Sequence, residues 1–177
     1  MGRPRTIDRE KVLDAAEVIV RRDGATALTF EAVAKAAGIT KGGLQYCFGS
    51  KDDLVAAMIE RWMTAFDAEL ARALPPEAGT LEHTRGYVAA LGRLDEATQT
   101  KMAGMLVTLL QSPEHLHRVR AWYAEWTGRF DPASEAGRRA QVAFFAAEGA
   151  FFLRSLGLVE MDGAAWHRLF ADILALP

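Results

Sequence analysis

The residues able to do chemistry fall into two groups along this chain. The first lies between Thr29 and Lys51, where Thr29, Thr40, Lys41, Gln45, Tyr46 and Lys51 punctuate short apolar segments. Gln45 is the most informative of them, because its amide carries a donor and an acceptor and can pair bidentately with an adenine edge. The second is Glu148, an acid inside the most apolar stretch of the sequence, 141–153. Buried carboxylates are rare unless paired. Glu148 therefore either receives a cationic or hydroxyl-bearing ligand or pairs with an arginine such as Arg118, Arg120 or Arg154. Other chemistries lack their parts. His115 and His117 point to different faces of a helix, and no Cys or acid completes a tetrahedron around them. The sequence holds no Ser-His-Asp elbow, phosphate-cradling glycine loop or dinucleotide fingerprint. No catalytic residue, metal site or cofactor is expected, and no enzyme activity.

The elements that must position these residues read as helices throughout. Val12, Ala15, Ala16, Ile19 and Val20 form one apolar stripe, and Asp23-Gly24 stops it. Thr29 caps a short helix that Gly38 ends, and Thr40 caps another that reaches Cys47. Ser50-Lys51-Asp52-Asp53 fits a capping box at the head of a long helix, broken by Pro75-Pro76. Further helices are expected over 80–94, 95–110, from Ser112-Pro113 to about 128, 134–156 and 163–174. No alternating strand pattern, repeat or low-complexity tract appears. The expected fold is all-α, with about nine helices. A three-helix N-terminal unit of residues 1–50, with the start of helix four to about 60, precedes a helical bundle over 51–177.

Two short helices joined by Gly38-Ile39 have the length and the glycine of a helix-turn-helix. Gly42 and Gly43 sit in the first turn of its second helix, where each costs about 1 kcal/mol against alanine. Close approach to a sugar-phosphate strand would account for the pair. The run TFEAVAKAAGITKGGLQYCFGSKDDL, Thr29 to Leu54, resembles the signature of the TetR family of transcriptional regulators. The resemblance is close over the first sixty or so residues and extends to the number and order of the later helices. It implies phosphate contacts at Thr29 and Thr40, backbone clamps at Lys41, Tyr46 and Lys51, and a groove-facing surface of Gly42, Gly43 and Gln45. It also implies a homodimer on a palindromic operator, released by a small apolar or amphipathic effector. Two positions depart from the family pattern. Gln45 stands where an aromatic is common, and Cys47 where His or Tyr is common, so the operator sequence is not carried over. Cys47 is read as a small residue packed under the helix rather than a redox sensor. Arg3 and Arg5 precede the first helix, where they serve either as a minor-groove arm or as a solubilising tail.

The later half carries ten of the sixteen aromatics, between Trp122 and Phe170. Two demands compete for them beside plain core packing. A dimer seam is assigned Phe144, Gly149, Phe151, Phe152, Leu156, Trp166, Phe170 and Ile173. A ligand pocket is assigned Met102, Met105, Leu109, Trp122, Trp126, Phe145 and Glu148, methionine being adaptable in shape. A different reading is an apolar-ligand-binding helical protein with a degenerate DNA head. Another is a DNA-binding regulator without an effector.

Charge argues for selectivity rather than for coating of DNA. The whole chain has a net charge of −2, and residues 1–60 hold nine basic and nine acidic side chains. A single cysteine excludes an intrachain disulfide. No stretch is long and apolar enough for a bilayer span, and Met1 to Arg5 lacks the apolar core of a signal peptide. The expected location is cytoplasmic, on the nucleoid through DNA, with no membrane partner.

Overall fold

The computed structural model describes residues 7–75, 77–109 and 116–176, the side chains of residues 108 and 109 excepted. Arg3, Arg5, Ser112, Pro113, His115 and the side chain of Leu109 therefore lie outside the described residues. The described chain is all-helical: α1 (Arg9–Asp23), α2 (Phe30–Ala37), α3 (Lys41–Phe48), α4 (Lys51–Ala73), α5 (Thr80–Gly92), α6 (Glu96–Leu109), α7 (His117–Thr127), α8 (Glu135–Ser155) and α9 (Gly163–Ala175). A 3₁₀ turn, Ala25–Ala27, links α1 to α2. No strand occurs among the described residues, and none of the helices is long and apolar enough to cross a membrane.

Thr29, Thr40, Ser50 and Asp162 cap their helices as read from sequence, each accepting a hydrogen bond from a first-turn amide, and Asp8 and Ser134 do the same for α1 and α8. At α4 the box is reciprocal: the Asp53 amide donates to Ser50 Oγ at 3.1 Å, and the Ser50 amide donates to Asp53 Oδ2 at 2.9 Å. Gly38 ends α2 in the left-handed region, with φ 66° and ψ 33°. A side chain there would be strained, so this glycine sets the turn between α2 and α3.

Two apolar cores hold the molecule. The first joins α1–α4, through Val12, Val33, Leu44, Phe48, Leu54 and Met58, to Met105 of α6 and Val119 of α7. The second lies between α5, α7, α8 and α9, around Phe144, Trp126, Trp166 and Phe170. Helix α5 packs along both α8 and α9, while α1 touches α4 and α6. The head is thus continuous with the body through α4 and α6 rather than tethered by a linker.

This packing corrects most of the expected dimer seam. Phe144, Phe151, Trp166, Phe170 and Ile173 are all buried within one chain. Trp166 is fixed there by its indole N–H, which donates to Gly92 O at 2.8 Å, and Phe170 covers Gly92. Phe145, expected in the pocket, instead faces outward at 53% exposure, while Phe144 beside it is at 0%. Consecutive helical residues point about 100° apart, so a phase error of one residue exchanges core for surface.

Candidate nucleic-acid interface and an interior cavity

The second helix of the head is held by one face and bare on the other. Leu44 and Phe48 anchor α3 in the first core, whereas Lys41, Gly42, Gln45 and Tyr46 are exposed, Tyr46 at 91%. A tyrosine that bare gains nothing from folding and is available to an external partner. Thr29 Oγ1 accepts from the Ala32 amide at 3.1 Å and Thr40 Oγ1 from the Gly43 amide at 3.0 Å. Both hydroxyls thus sit at helix N-termini, where partial positive charge favours a phosphate. Lys51 is half-buried at the start of α4.

The two glycines separate in role. A Cβ on Gly42 would meet open space, so its bare backbone can approach a partner closely. A Cβ on Gly43 would lie 2.8 Å from Ile7 Cδ1 and 3.2 Å from Thr40 Oγ1. Gly43 is therefore turned toward its own chain, and packing accounts for it. Two of the exposed polar residues are engaged in the free protein. Gln45 Nε2 donates to Gly49 O at 2.6 Å, and Lys41 forms an ion pair with Glu31 that holds the Glu31 carboxyl below its ordinary range. Cys47 is half-buried against the first core, and its carbonyl accepts from Arg9.

A chain of polar contacts that sequence reading missed runs from the head to the body. Arg61 of α4 reaches three carboxylates of α1: Glu10 at 3.1 Å, Asp14 at 2.8 Å and Glu17 at 2.7 Å. The neighbouring Trp62 Nε1 donates to Glu17 Oε1 at 2.6 Å. The one-turn spacing of Glu10, Asp14 and Glu17 puts the acids on one face of α1, which was a visible signal for a cationic partner.

Trp62 also faces a cavity of about 70 Å³ lined by α4–α8. Of the residues assigned to a pocket, Met102, Trp122 and Glu148 line it, beside Phe66, Tyr87, Tyr123 and Phe151. Met105 and Trp126 do not line it. Met105 is spent in the first core, and Trp126 stands behind the wall, 4.7 Å from the Tyr87 ring and stacked on Phe144. Among the described residues no arginine pairs with Glu148. Tyr87 and Tyr123 each donate a hydroxyl to it, the latter at 2.5 Å. Arg154 instead binds Glu96 at 2.8 Å and Gln99 at 3.0 Å, and Arg118 pairs with Glu60. Burial pushes the Glu148 carboxyl above its ordinary range, the two tyrosine hydroxyls opposing the shift. No cluster of ligating side chains suited to a metal occurs among the described residues.

A helix-turn-helix with one bare face, built onto a helical body that carries a cavity, has the architecture of a DNA-binding regulator. Residues 12–58 match "Bacterial regulatory proteins, tetR family", and residues 82–176 match "Tetracyclin repressor-like, C-terminal domain". The chain belongs to the TetR family, and so is a DNA-binding transcriptional regulator and not an enzyme. The fold is similar to that of a transcriptional regulator from Rhodococcus sp. Rha1, with a TM-score of 0.73 at 16% identity over 96% of this chain and 95% of that one. The fatty acid degradation regulator FadR from Bacillus halodurans gives 0.64 at 16% identity, over 98% of this chain and 96% of that one. The multidrug binding protein EbrR, complexed with ethidium, gives 0.65 at 23% identity, over 93% and 97%. Comparison with curated protein sequences gives no match.

Proposed function

We propose that this protein is a homodimeric repressor that binds a palindromic operator and is released from it by a small molecule held in the cavity. The observation that carries the DNA contact is the bare face of α3, with Tyr46 at 91% exposure beside Lys41, Gly42 and Gln45. In this reading Thr29, Thr40, Lys41, Tyr46 and Lys51 hold phosphates, and Gln45 leaves Gly49 O to read a base edge. Lys41 exchanges Glu31 for phosphate. Gly43 is a packing residue in this scheme, and Gly42 supplies the close approach.

The dimer reading rests on the outward face of α8. Val142, Phe145, Gly149, Phe152 and Leu156 recur at helical spacing, and a Cβ on Gly149 would meet nothing within 4 Å. Such a stripe with a small residue at its centre suits a second copy crossing at a two-fold axis. Gly149, Phe152 and Leu156 keep their place in the seam, and Phe145 and Val142 join them.

Release follows from the position of Trp62, which belongs to the cavity wall and to the α1 contact at once. A cavity of about 70 Å³ is smaller than the roughly 300–1,000 Å³ of most ligand sites, so an effector must push its walls apart. Displacing Trp62 disturbs Glu17, and with it the seating of α1 and the recognition helix. The ligand then favours a state in which the two heads no longer match successive major grooves. EbrR, seen with ethidium, supports a small-molecule role for a body of this fold.

The reading is tested by gel shift of the purified protein on DNA flanking its own coding region. A discrete complex at nanomolar protein that survives excess competitor DNA is expected. Binding no tighter than to the competitor would favour the reading as a ligand-binding protein with a degenerate head.

A further inference from the structure

Among the described residues Glu148 is the one acid in the cavity wall, 8% exposed, and no Lys, Arg or His lines the cavity with it. Nearby cations are engaged elsewhere: Arg118 with Glu60, Arg154 with Glu96, and Arg129 with Glu125. Lys101 lies 4.5 Å from the Trp62 ring but does not line the cavity. A buried carboxylate held by two phenols alone is poorly compensated, since hydroxyl donors spread its charge without neutralising it.

The rings around it complete the arrangement. Phe66 and Tyr87 meet edge-on at 5.3 Å and 71°, Phe66 and Trp122 at 6.4 Å and 75°, and Tyr87 and Trp122 at 6.1 Å and 44°. Rings at such angles form walls rather than a stack, and their faces carry negative potential. Trp122 is locked in this pose by its indole N–H, which donates to Asp67 at 2.8 Å. An apolar cage with electron-rich walls and one carboxylate on its surface has the chemistry of a receptor for positive charge.

We infer that the effector is an organic cation, an apolar body bearing a quaternary ammonium or protonated amine that rests in the Phe66–Tyr87–Trp122 cage against Glu148. This rests on the proposed reading of the cavity as the effector site. Tyr87 and Tyr123 hold the carboxylate in place until the cation arrives and keep one hydrogen bond to each oxygen after it does. A fatty acid or other anion would face Glu148 unscreened and is excluded. A neutral amphiphile fills the cage but leaves the acid uncompensated.

The test uses the full-length protein and three probes with the same ten-carbon chain: decyltrimethylammonium, 1-decanol and decanoate, titrated by calorimetry and tryptophan fluorescence. The cation is expected to bind about tenfold or more tighter than the alcohol, with decanoate weakest. Glu148→Gln, which keeps the shape and removes the charge, should abolish that preference and leave the alcohol's affinity within a few-fold. If Glu148→Gln does not fold, the wild-type ranking decides alone. Equal or tighter binding of decanol or decanoate overturns the charge assignment while the effector reading of the cavity stands. An undiminished preference for the cation in Glu148→Gln overturns it too. Binding of none of the three removes the effector reading and this inference with it.

Discussion

Phe145→Glu should convert a dimer into a folded monomer, because Phe145 is half out of its own chain. Full burial of a large apolar side chain is worth roughly 1.5–3 kcal/mol. At 53% exposure Phe145 has about half of that left to gain, near 1 kcal/mol per copy and 2 kcal/mol per two-fold pair. Placing two carboxylates in the seam adds a desolvation penalty of several kcal/mol. Since 1.4 kcal/mol is a factor of ten, the dimer constant should weaken by about a thousandfold or more. The monomer should keep its fold, because Phe144 and Trp166, which close the second core, are untouched. Phe144→Ala is the internal contrast. It opens a hole beside Trp126, Tyr87 and Phe130 and should cost about 3–5 kcal/mol of folding stability. Sedimentation velocity at micromolar concentration, paired with a thermal melt by circular dichroism, separates the two effects. A Phe145→Glu protein that sediments with the wild type as a dimer refutes the assignment of this face, and so does a monomeric wild type.

Lys51→Ala should weaken operator binding alike on all sequences and lower the slope of log affinity against log salt by about one unit; an unchanged slope removes Lys51 from the interface. Gln45→Ala should relax preference at one base pair per half-site, at about 1–3 kcal/mol on the best operator, as read by competition with single-base variants. Glu148 gives a pH dependence of defined sign. Burial raises its pKa above the ordinary 4.5, so the native state keeps the proton after the unfolded chain has lost it. Its contribution to stability therefore falls as pH rises from 4.5 through the raised value, and Glu148→Gln should gain in melting temperature relative to wild type across that window. A difference between the two that is constant with pH would contradict this.

What the sequence disclosed depended on how local each signal was. Caps, glycine stops and the double proline act within four residues, and the helices they delimit stand where Thr29, Thr40, Ser50 and Asp162 placed them. The face of α3 came from the resemblance rather than from spacing, and Gly43, expected toward the groove, is turned toward Ile7 while Leu44 and Phe48 anchor the helix. The two phases of α8 were not legible. With Val142, Phe144, Phe145, Phe151 and Phe152 spread around its axis, periodicity selects no inner face, and burial among α5, α7 and α9 decides. The partners of Glu148 were illegible because Tyr87 and Tyr123 sit on α5 and α7, 61 and 25 residues away. The arginines looked the better match by charge, but Arg118 pairs with Glu60 and Arg154 with Glu96. Likewise nothing local to Trp62 on α4 marks its partner, and only the position of α1 shows that its N–H meets Glu17.

Operator recognition by a two-fold dimer is tested by selecting bound DNA from a random pool with the purified protein at near-physiological salt. An inverted repeat should be enriched whose half-sites lie about one helical turn, 10–10.5 base pairs, apart or a multiple of it. Two protomers should bind each selected duplex, and the enrichment should disappear with Gln45 and Tyr46 both changed to Ala. Recovery of sequences without two-fold symmetry, or of no sequence above the starting pool, would contradict it.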